Sequence, residues 1–294
     1  MTSASAPRWG QQSEVCYRHP DRQSFVLCQR CGRTICGECQ TAAPVGFICP
    51  ECMREARQST PRAARPYAGG NVIARVRGTL RRSDNPVTLI IIAVTALVYI
   101  AQKVSGGYVT SLLLYAPAYS GAGGYGLTDF EPWRMLTVLF VHASILHIAF
   151  NMYTLWIFGK MLEPMLGRGR FIALYFLAGF AGSLAVEFTT SPESATVGAS
   201  GAIFGFFGAL IVIQHKLGGP TMQLYVLLGI NLAFALFPGS NIAWEAHVGG
   251  AIGGAIVGLI IMSTRHRSKR AAQIGLLSVF GALLVVASLL PLVA

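Results

Sequence analysis

Residues 198–214 read Gly-Ala-Ser-Gly-Ala-Ile-Phe-Gly-Phe-Phe-Gly-Ala-Leu-Ile-Val-Ile-Gln. The run carries no charge, and its length meets the lower end of the roughly 17 to 25 residues that cross a bilayer as a helix. Gly201, Gly205 and Gly208 form a smooth stripe beside Ser200, and small residues let membrane helices approach closely. Working outward, comparable apolar runs occur at 86–104, 144–160, 171–188, 221–238, 243–262 and 272–293. The shortest could be embedded helices that do not quite span. Ser83-Asp84-Asn85-Pro86 supplies a polar cap and then a proline, a helix start signal. Residues 105–132, with several Gly and Tyr, read as a long loop of the kind that is functional or disordered. The fold class expected is an all-α polytopic membrane protein.

Composition agrees. Hydrophobic residues make up 53% of the 294 and charged residues 12%, against about 25% charged in soluble proteins. A net charge of +11 raises the question of nucleic acid, but 13 of the 23 Lys and Arg precede Ser83, and position decides. The first 30 residues hold no apolar signal-peptide core, so the N-terminus is expected in the cytoplasm. That orientation places Arg54 to Arg82, Lys160, Arg168, Arg170, Lys216, Arg265, Arg267, Lys269 and Arg270 inside. Only Lys103 and Arg134 then lie outside, as the positive-inside rule favours. The C-terminus follows a seventh helix and ends outside. Reducing thiols and a high Ala, Gly and Arg content fit a bacterial cell membrane.

With this topology the second, fourth and sixth helices start at the outer face. At about 1.5 Å per residue, Ser200, His147, His247 and Asn151 all fall in the outer half of the membrane. Polar groups there are costly and usually face a bundle interior or water. His147 and Asn151 share a helix face, and Gly250 and Gly254 lie on the face of His247. Ser200 and His247 could then meet. A serine needs a base to take its proton, and His247 is the candidate. His147, Asn151 and the Ser200 backbone N–H are the candidate donors to an oxyanion. No carboxylate is expected at matching depth, and Glu245 faces elsewhere, so the arrangement reads as a Ser–His dyad. His142 reads as structural. Taken alone, Ser200 would read as packing and a single membrane His as an ion or proton site; the combination shifts the balance.

From Asn85 to Thr264 the sequence resembles the rhomboid family. Glu131-Pro132-Trp133-Arg134 is similar to the Trp-Arg motif of the family's first external loop. His142-x4-His147-x3-Asn151 resembles its second-helix signature, Gly198-Ala199-Ser200-Gly201 its nucleophile motif, and Ala246-His247-x2-Gly250-x3-Gly254 its base motif. The resemblance implies a six-helix core with an outward-opening aqueous cavity and a seventh helix appended, as in part of the family. It implies serine endopeptidase activity on the transmembrane segments of protein substrates, with no cofactor for catalysis. Residues 234–241 are expected to move to admit substrate.

All seven cysteines fall between Cys16 and Cys52. With His19 they form four pairs: Cys16/His19, Cys28/Cys31, Cys36/Cys39 and Cys49/Cys52. Eight ligands suit two tetrahedral structural zinc ions, which would stabilise a segment too short to build an apolar core. A cross-brace would join the first and third pairs on one ion and the second and fourth on the other; a sequential order is the alternative. The pattern resembles B-box-type zinc fingers. The expected layout is a zinc-binding cytoplasmic domain over 1–54, a basic flexible linker over 55–84, a six-helix core over 85–264, and a basic loop with a seventh helix over 265–294. The linker arginines suit anionic lipid. The zinc domain could dock a cytoplasmic protein, and nucleic acid is disfavoured. Two other functions compete. One is a non-catalytic binder of membrane clients with the same fold. The other is a transporter using the histidines as a relay, against which an expected lack of membrane carboxylates counts.

Overall fold

The structure, a computed structural model, describes residues 14–42, 46–59, 78, 83–120, 130–237, 240 and 242–292. The chain forms two units, Met1–Arg75 and Val76–Ala294.

In the first unit, isolated antiparallel bridges join Val15 to Gln23 and Leu27 to Thr34. A short hairpin pairs β1 (Thr41–Ala42) with β2 (Phe47–Ile48), and helix α1 (Pro50–Ser59) follows. Helix therefore continues five residues past the expected domain end at residue 54. Most of the expected linker lies outside the described residues. The buried apolar cluster consists of Cys16, Cys28, Cys36, Cys39, Cys49, Cys52 and a single aliphatic residue, Ile35. Tyr17, Val26 and Ile48 pack against it only partly buried, so the apolar core is small and the cysteines form most of it.

The second unit is built of helices α2 (Pro86–Val104), α3 (Tyr108–Leu113), α4 (Arg134–Thr137), α5 (Ile145–Leu166), α6 (Arg168–Thr189), α7 (Ser200–Leu217), α8 (Met222–Ala235), α9 (Trp244–Ser263) and α10 (Arg270–Leu289). Among the described residues six are long and apolar enough to cross a membrane: α2, α5, α6, α7, α9 and α10. Helix α8 has 14 residues, about 21 Å of rise, short of the roughly 30 Å of hydrocarbon. The expected long loop is not structureless. It holds α3 and a 3-10 turn at Pro117–Ser120, and residues 121–129 lie outside the described residues.

Helices α6, α7 and α9 form the centre. Glycine is required there because backbone packs on backbone. A Cβ on Gly250 would overlap the Gly201 carbonyl, one on Gly254 the Gly205 carbonyl, and one on Gly208 the Ala251 carbonyl. Gly182 on α6 closes the triangle, with a Cβ there falling 2.7 Å from the Ala246 oxygen. Toward the other end of the bundle, aromatic rings fill the core. Phe171 stacks on Phe206 at 5.2 Å, and Phe158 meets Phe207 edge-on at 4.7 Å.

The sequence reading ended the second helix at residue 160, but α5 runs to Leu166. Its extra turns are held by tertiary partners. Glu163, 1% exposed, accepts from the backbone N–H groups of Val87 and Thr88 at 2.9 and 2.8 Å and from Thr88 Oγ1 at 2.7 Å. It thus satisfies the orphan amides at the start of α2, where the helix dipole favours an anion. One turn earlier, Gly159 leaves room for Thr88 itself. Glu163→Ala is expected to destabilise the membrane unit by about 3 kcal/mol, because three donors lose one acceptor. Glu163→Gln should lose less. Thermal unfolding in detergent measures this, and an unchanged midpoint in the Ala variant would contradict it.

Glu187 is the second buried carboxylate. It lies near the end of α6 and accepts from the Tyr115 hydroxyl and, at 2.5 Å, from Ser120 Oγ. The expectation that membrane carboxylates are lacking is therefore corrected. Glu163 and Glu187 both lie within long apolar helices, each bound to protein donors that offset its burial.

Candidate active site and metal centres

The site grows from three helix starts. Ser144 caps α5, its Oγ accepting from the His147 N–H at 3.1 Å. Helix α7 begins at Ser200, so the first-turn amides beside its hydroxyl have no intrahelical partner. His247 sits one turn into α9. The glycine contacts bring the starts of α7 and α9 to one level, since Gly201 on α7 and Ala246 on α9 touch each other and Gly182 on α6 through their backbones.

His147 faces Ser200 across Gly198. A Cβ built on Gly198 would stand 2.8 Å from His147 Nε2 and 3.7 Å from Ser200 Oγ. The Gly198 φ of +127° is disfavoured for any residue with a side chain, so glycine is required on two counts. The Gly198 N–H donates to the Val138 carbonyl at 3.1 Å, which anchors the approach to Ser200. On the far side of the His147 ring, Nδ1 accepts from the Ala143 N–H at 3.4 Å. That bond puts the ring proton of a neutral imidazole on Nε2, the nitrogen that faces Gly198. Asn151 Nδ2 donates to the His147 carbonyl at 2.9 Å, so one of its two amide protons is committed along the helix.

His247 is 6% exposed and lies flat on Phe204, with ring centroids 4.0 Å apart and planes 9° apart. Its Nδ1 is buried without a partner. Among the described residues no carboxylate bonds to His247, and no hydrogen bond joins it to Ser200. Phe204 was not identified from sequence, although its position four residues after Ser200 puts it on the same helix face. His142 was read as structural. It is 1% exposed, packs edge-on against His147 at 5.0 Å, and keeps both ring nitrogens unpartnered.

The loop before the site is also tied down. Arg134, from the Trp-Arg motif, pairs with Glu131, donates to the carbonyls of Ser111 and Leu114 at 2.6 and 3.1 Å, and covers the Tyr119 ring at 4.0 Å. Tyr115 exchanges backbone hydrogen bonds with Thr196, four residues ahead of Ser200. Arg134 and Tyr115 thus brace the loop from both sides.

In the first unit the ligands gather in two sets: Cys16, His19, Cys36 and Cys39, and Cys28, Cys31, Cys49 and Cys52. Within each set the ligand atoms lie within 4.8 Å of one another. This is the cross-brace grouping. His19 Nδ1 stands 3.8, 3.3 and 3.5 Å from the sulfurs of Cys16, Cys36 and Cys39, and the Cys31 and Cys49 sulfurs are 3.8 Å apart. A tetrahedral ion with bonds of about 2.0–2.3 Å has ligand–ligand edges of about 3.5–3.8 Å. The donor set therefore fits a tetrahedral metal. Burial pushes the Cys16 thiol up, but the backbone amides of Cys36, Arg18 and His19 outweigh it and bring it down to about 6. Burial and the neighbouring Cys16 and Cys36 sulfurs hold Cys39 up at about 11.

Comparison with known proteins follows the same lines. The Rhomboid domain family model matches residues 129–264. The rhomboid protease GluP of Bacillus subtilis is 38% identical over 172 residues, which cover 57% of this chain and 33% of that protein. The rhomboid protease GlpG of Haemophilus influenzae is 32% identical over 190 residues, 62% of this chain and 94% of that protein. The RHOMBOID-like protein 6, mitochondrial, of Arabidopsis thaliana is 34% identical over 143 residues, 45% of this chain and 44% of that protein. The chain thus spans a third of the first relative and nearly all of the second. With its transmembrane helices, its motifs in order and a relative matched almost end to end, the chain belongs to the rhomboid family.

Proposed function

We propose that this protein is an intramembrane serine endopeptidase that cleaves transmembrane segments of membrane proteins. The observation that carries the reading is the meeting of Ser200, His147 and Gly198 at the start of α7, one backbone contact from the helix of His247. In this mechanism His247 Nε2 takes the Ser200 proton as Oγ attacks the scissile carbonyl. Phe204 holds the imidazole flat, and the unpartnered Nδ1 supports a dyad rather than a triad. The oxyanion receives the Nε2–H of His147, the Ser200 amide and the free amide proton of Asn151. His247 then returns the proton to the leaving amine, and water releases the acyl group.

The Lys and Arg distribution supports a cytoplasmic N-terminus and an active site open to the opposite side, and the reducing thiols with the high Ala, Gly and Arg content support a bacterial cell membrane. In the first unit Cys16, His19, Cys36 and Cys39 would hold one structural zinc ion and Cys28, Cys31, Cys49 and Cys52 a second. When bound, zinc cross-links the four knuckles and supplies folding free energy. Chelation is expected to unfold residues 14–59 while leaving the membrane helices intact. Loss of amide-exchange protection confined to the first unit would support this; unchanged protection there would contradict it.

Substrate entry is proposed at the end of α8 and the loop that follows, where Phe234 and Phe237 are exposed; Pro238, Gly239 and Asn241 of the same segment lie outside the described residues. Cross-linking residue 234 to α5 should block hydrolysis, and full activity in the cross-linked protein would contradict that route.

The competing reading is a non-catalytic client binder, and the missing Ser200–His247 hydrogen bond favours it. Cleavage of a transmembrane reporter by the wild-type chain in liposomes separates the two. Cuts in or beside the reporter's membrane segment are expected. Stable reporter binding without any cut would favour the binder.

A further inference from the structure

At the end of the bundle remote from Ser200, a cavity of about 740 Å³ opens between the α5–α6 turn, the segment after α9 and the first turns of α10. Arg168, Arg170, His266 and Arg270 line it, and among the described residues no carboxylate does. Among the described residues none of these three arginines joins an ion pair. Three guanidinium groups gathered in one concavity repel one another unless an anion sits between them.

The cavity is also built. Arg170 Nε donates to Gln273 Oε1 at 2.6 Å and its Nη1 to the Leu166 carbonyl at 3.2 Å. Gln273, 3% exposed, is fixed in turn by Thr264 Oγ1 at 2.8 Å. One guanidinium is therefore held in place with donors to spare. Helices α6 and α10 both start at this wall, at Arg168 and Arg270, and neither has a side-chain cap. The free first-turn amides of α6 add partial positive charge, whereas α10 continues a 3-10 turn over Arg267–Lys269.

The wall also changes character along α10. Arg270, Ile274 and Leu277 follow at i, i+4 and i+7, so one helix face runs from cation to aliphatic. A soluble phosphate would match only the first part of that face. A phospholipid matches all of it, with its phosphate against the arginines and its acyl chain along the exposed Ile274. We propose that this cavity binds the headgroup of an anionic phospholipid, which would sit where the seventh helix joins the core. The proposal does not depend on proteolysis.

The test is lipid titration of the full chain in detergent, read by native mass spectrometry. Phosphatidylglycerol is compared with phosphatidylcholine of the same acyl chains. Arg168→Gln/Arg270→Gln removes two cations that are exposed and make no side-chain hydrogen bond among the described residues. Lys160→Gln/Lys216→Gln removes the same charge outside the cavity. Phosphatidylglycerol should bind wild type about tenfold or more tightly than phosphatidylcholine. The arginine pair should weaken it about twenty-five-fold, at about fivefold per charge, and the lysine pair less than about twofold. Equal binding of the two lipids, or equal losses in the two variants, would overturn the proposal. Displacement of phosphatidylglycerol by equimolar inorganic phosphate would overturn it in favour of a soluble anion.

Discussion

Ser200→Ala and His247→Ala should each lower the rate of reporter cleavage by about 10⁴-fold or more, and the double variant should be no slower than either single one. The reason is that the two side chains act as one unit. Without the hydroxyl there is no acyl group to transfer, and without the imidazole the hydroxyl keeps its proton. His147→Ala should cost less, about 10²- to 10³-fold in kcat with little change in KM. His147 donates to charge that exists only in the transition state. Steady-state kinetics in liposomes would check both. A double variant much slower than either single variant would mean that Ser200 and His247 do not share a step.

The largest structural effect is expected at the α7–α9 contact. Gly254→Val should prevent the membrane unit from reaching its folded state. Even Gly254→Ala places a Cβ on the Gly205 carbonyl, where backbone rather than a flexible side chain would have to move. Overpacking costs typically 1–3 kcal/mol when side chains can shift, and more is expected here. The matched control is Gly275 on α10, where a Cβ would meet nothing within 4 Å. Gly275→Ala should be neutral or stabilising by about 0.5–1 kcal/mol through helix propensity. Thermal midpoints of the two alanine variants make the comparison. Equal midpoints would remove the argument that these glycines set the distance between Ser200 and His247.

Much of this architecture was legible because the bilayer simplifies the code. Each long helix must show as an apolar run, and residues such as Ser200, His147 and His247 stand out within such runs. The glycine stripes were legible for the same reason, since helices that approach closely must be smooth. Helix ends were less so. The reading stopped α5 at Lys160, but Glu163 is satisfied by the amides of Val87 and Thr88, some 75 residues away in sequence. Glu187 was overlooked likewise, because its donors Tyr115 and Ser120 lie in a loop whose path composition does not encode. Phe204 reads as one more apolar residue of a membrane helix, and only the tertiary contact shows that its ring carries His247. In the first unit, spacing alone left cross-brace and sequential pairings open, whereas the folded knuckles bring first to third and second to fourth.

The most direct test of the central claim is to treat the full chain in liposomes with a fluorophosphonate and map the modified residue by mass spectrometry. The account predicts a single adduct on Ser200, lost in His247→Ala even though Ser200 is still present. An adduct on another serine, or undiminished labelling of Ser200 without His247, would contradict it.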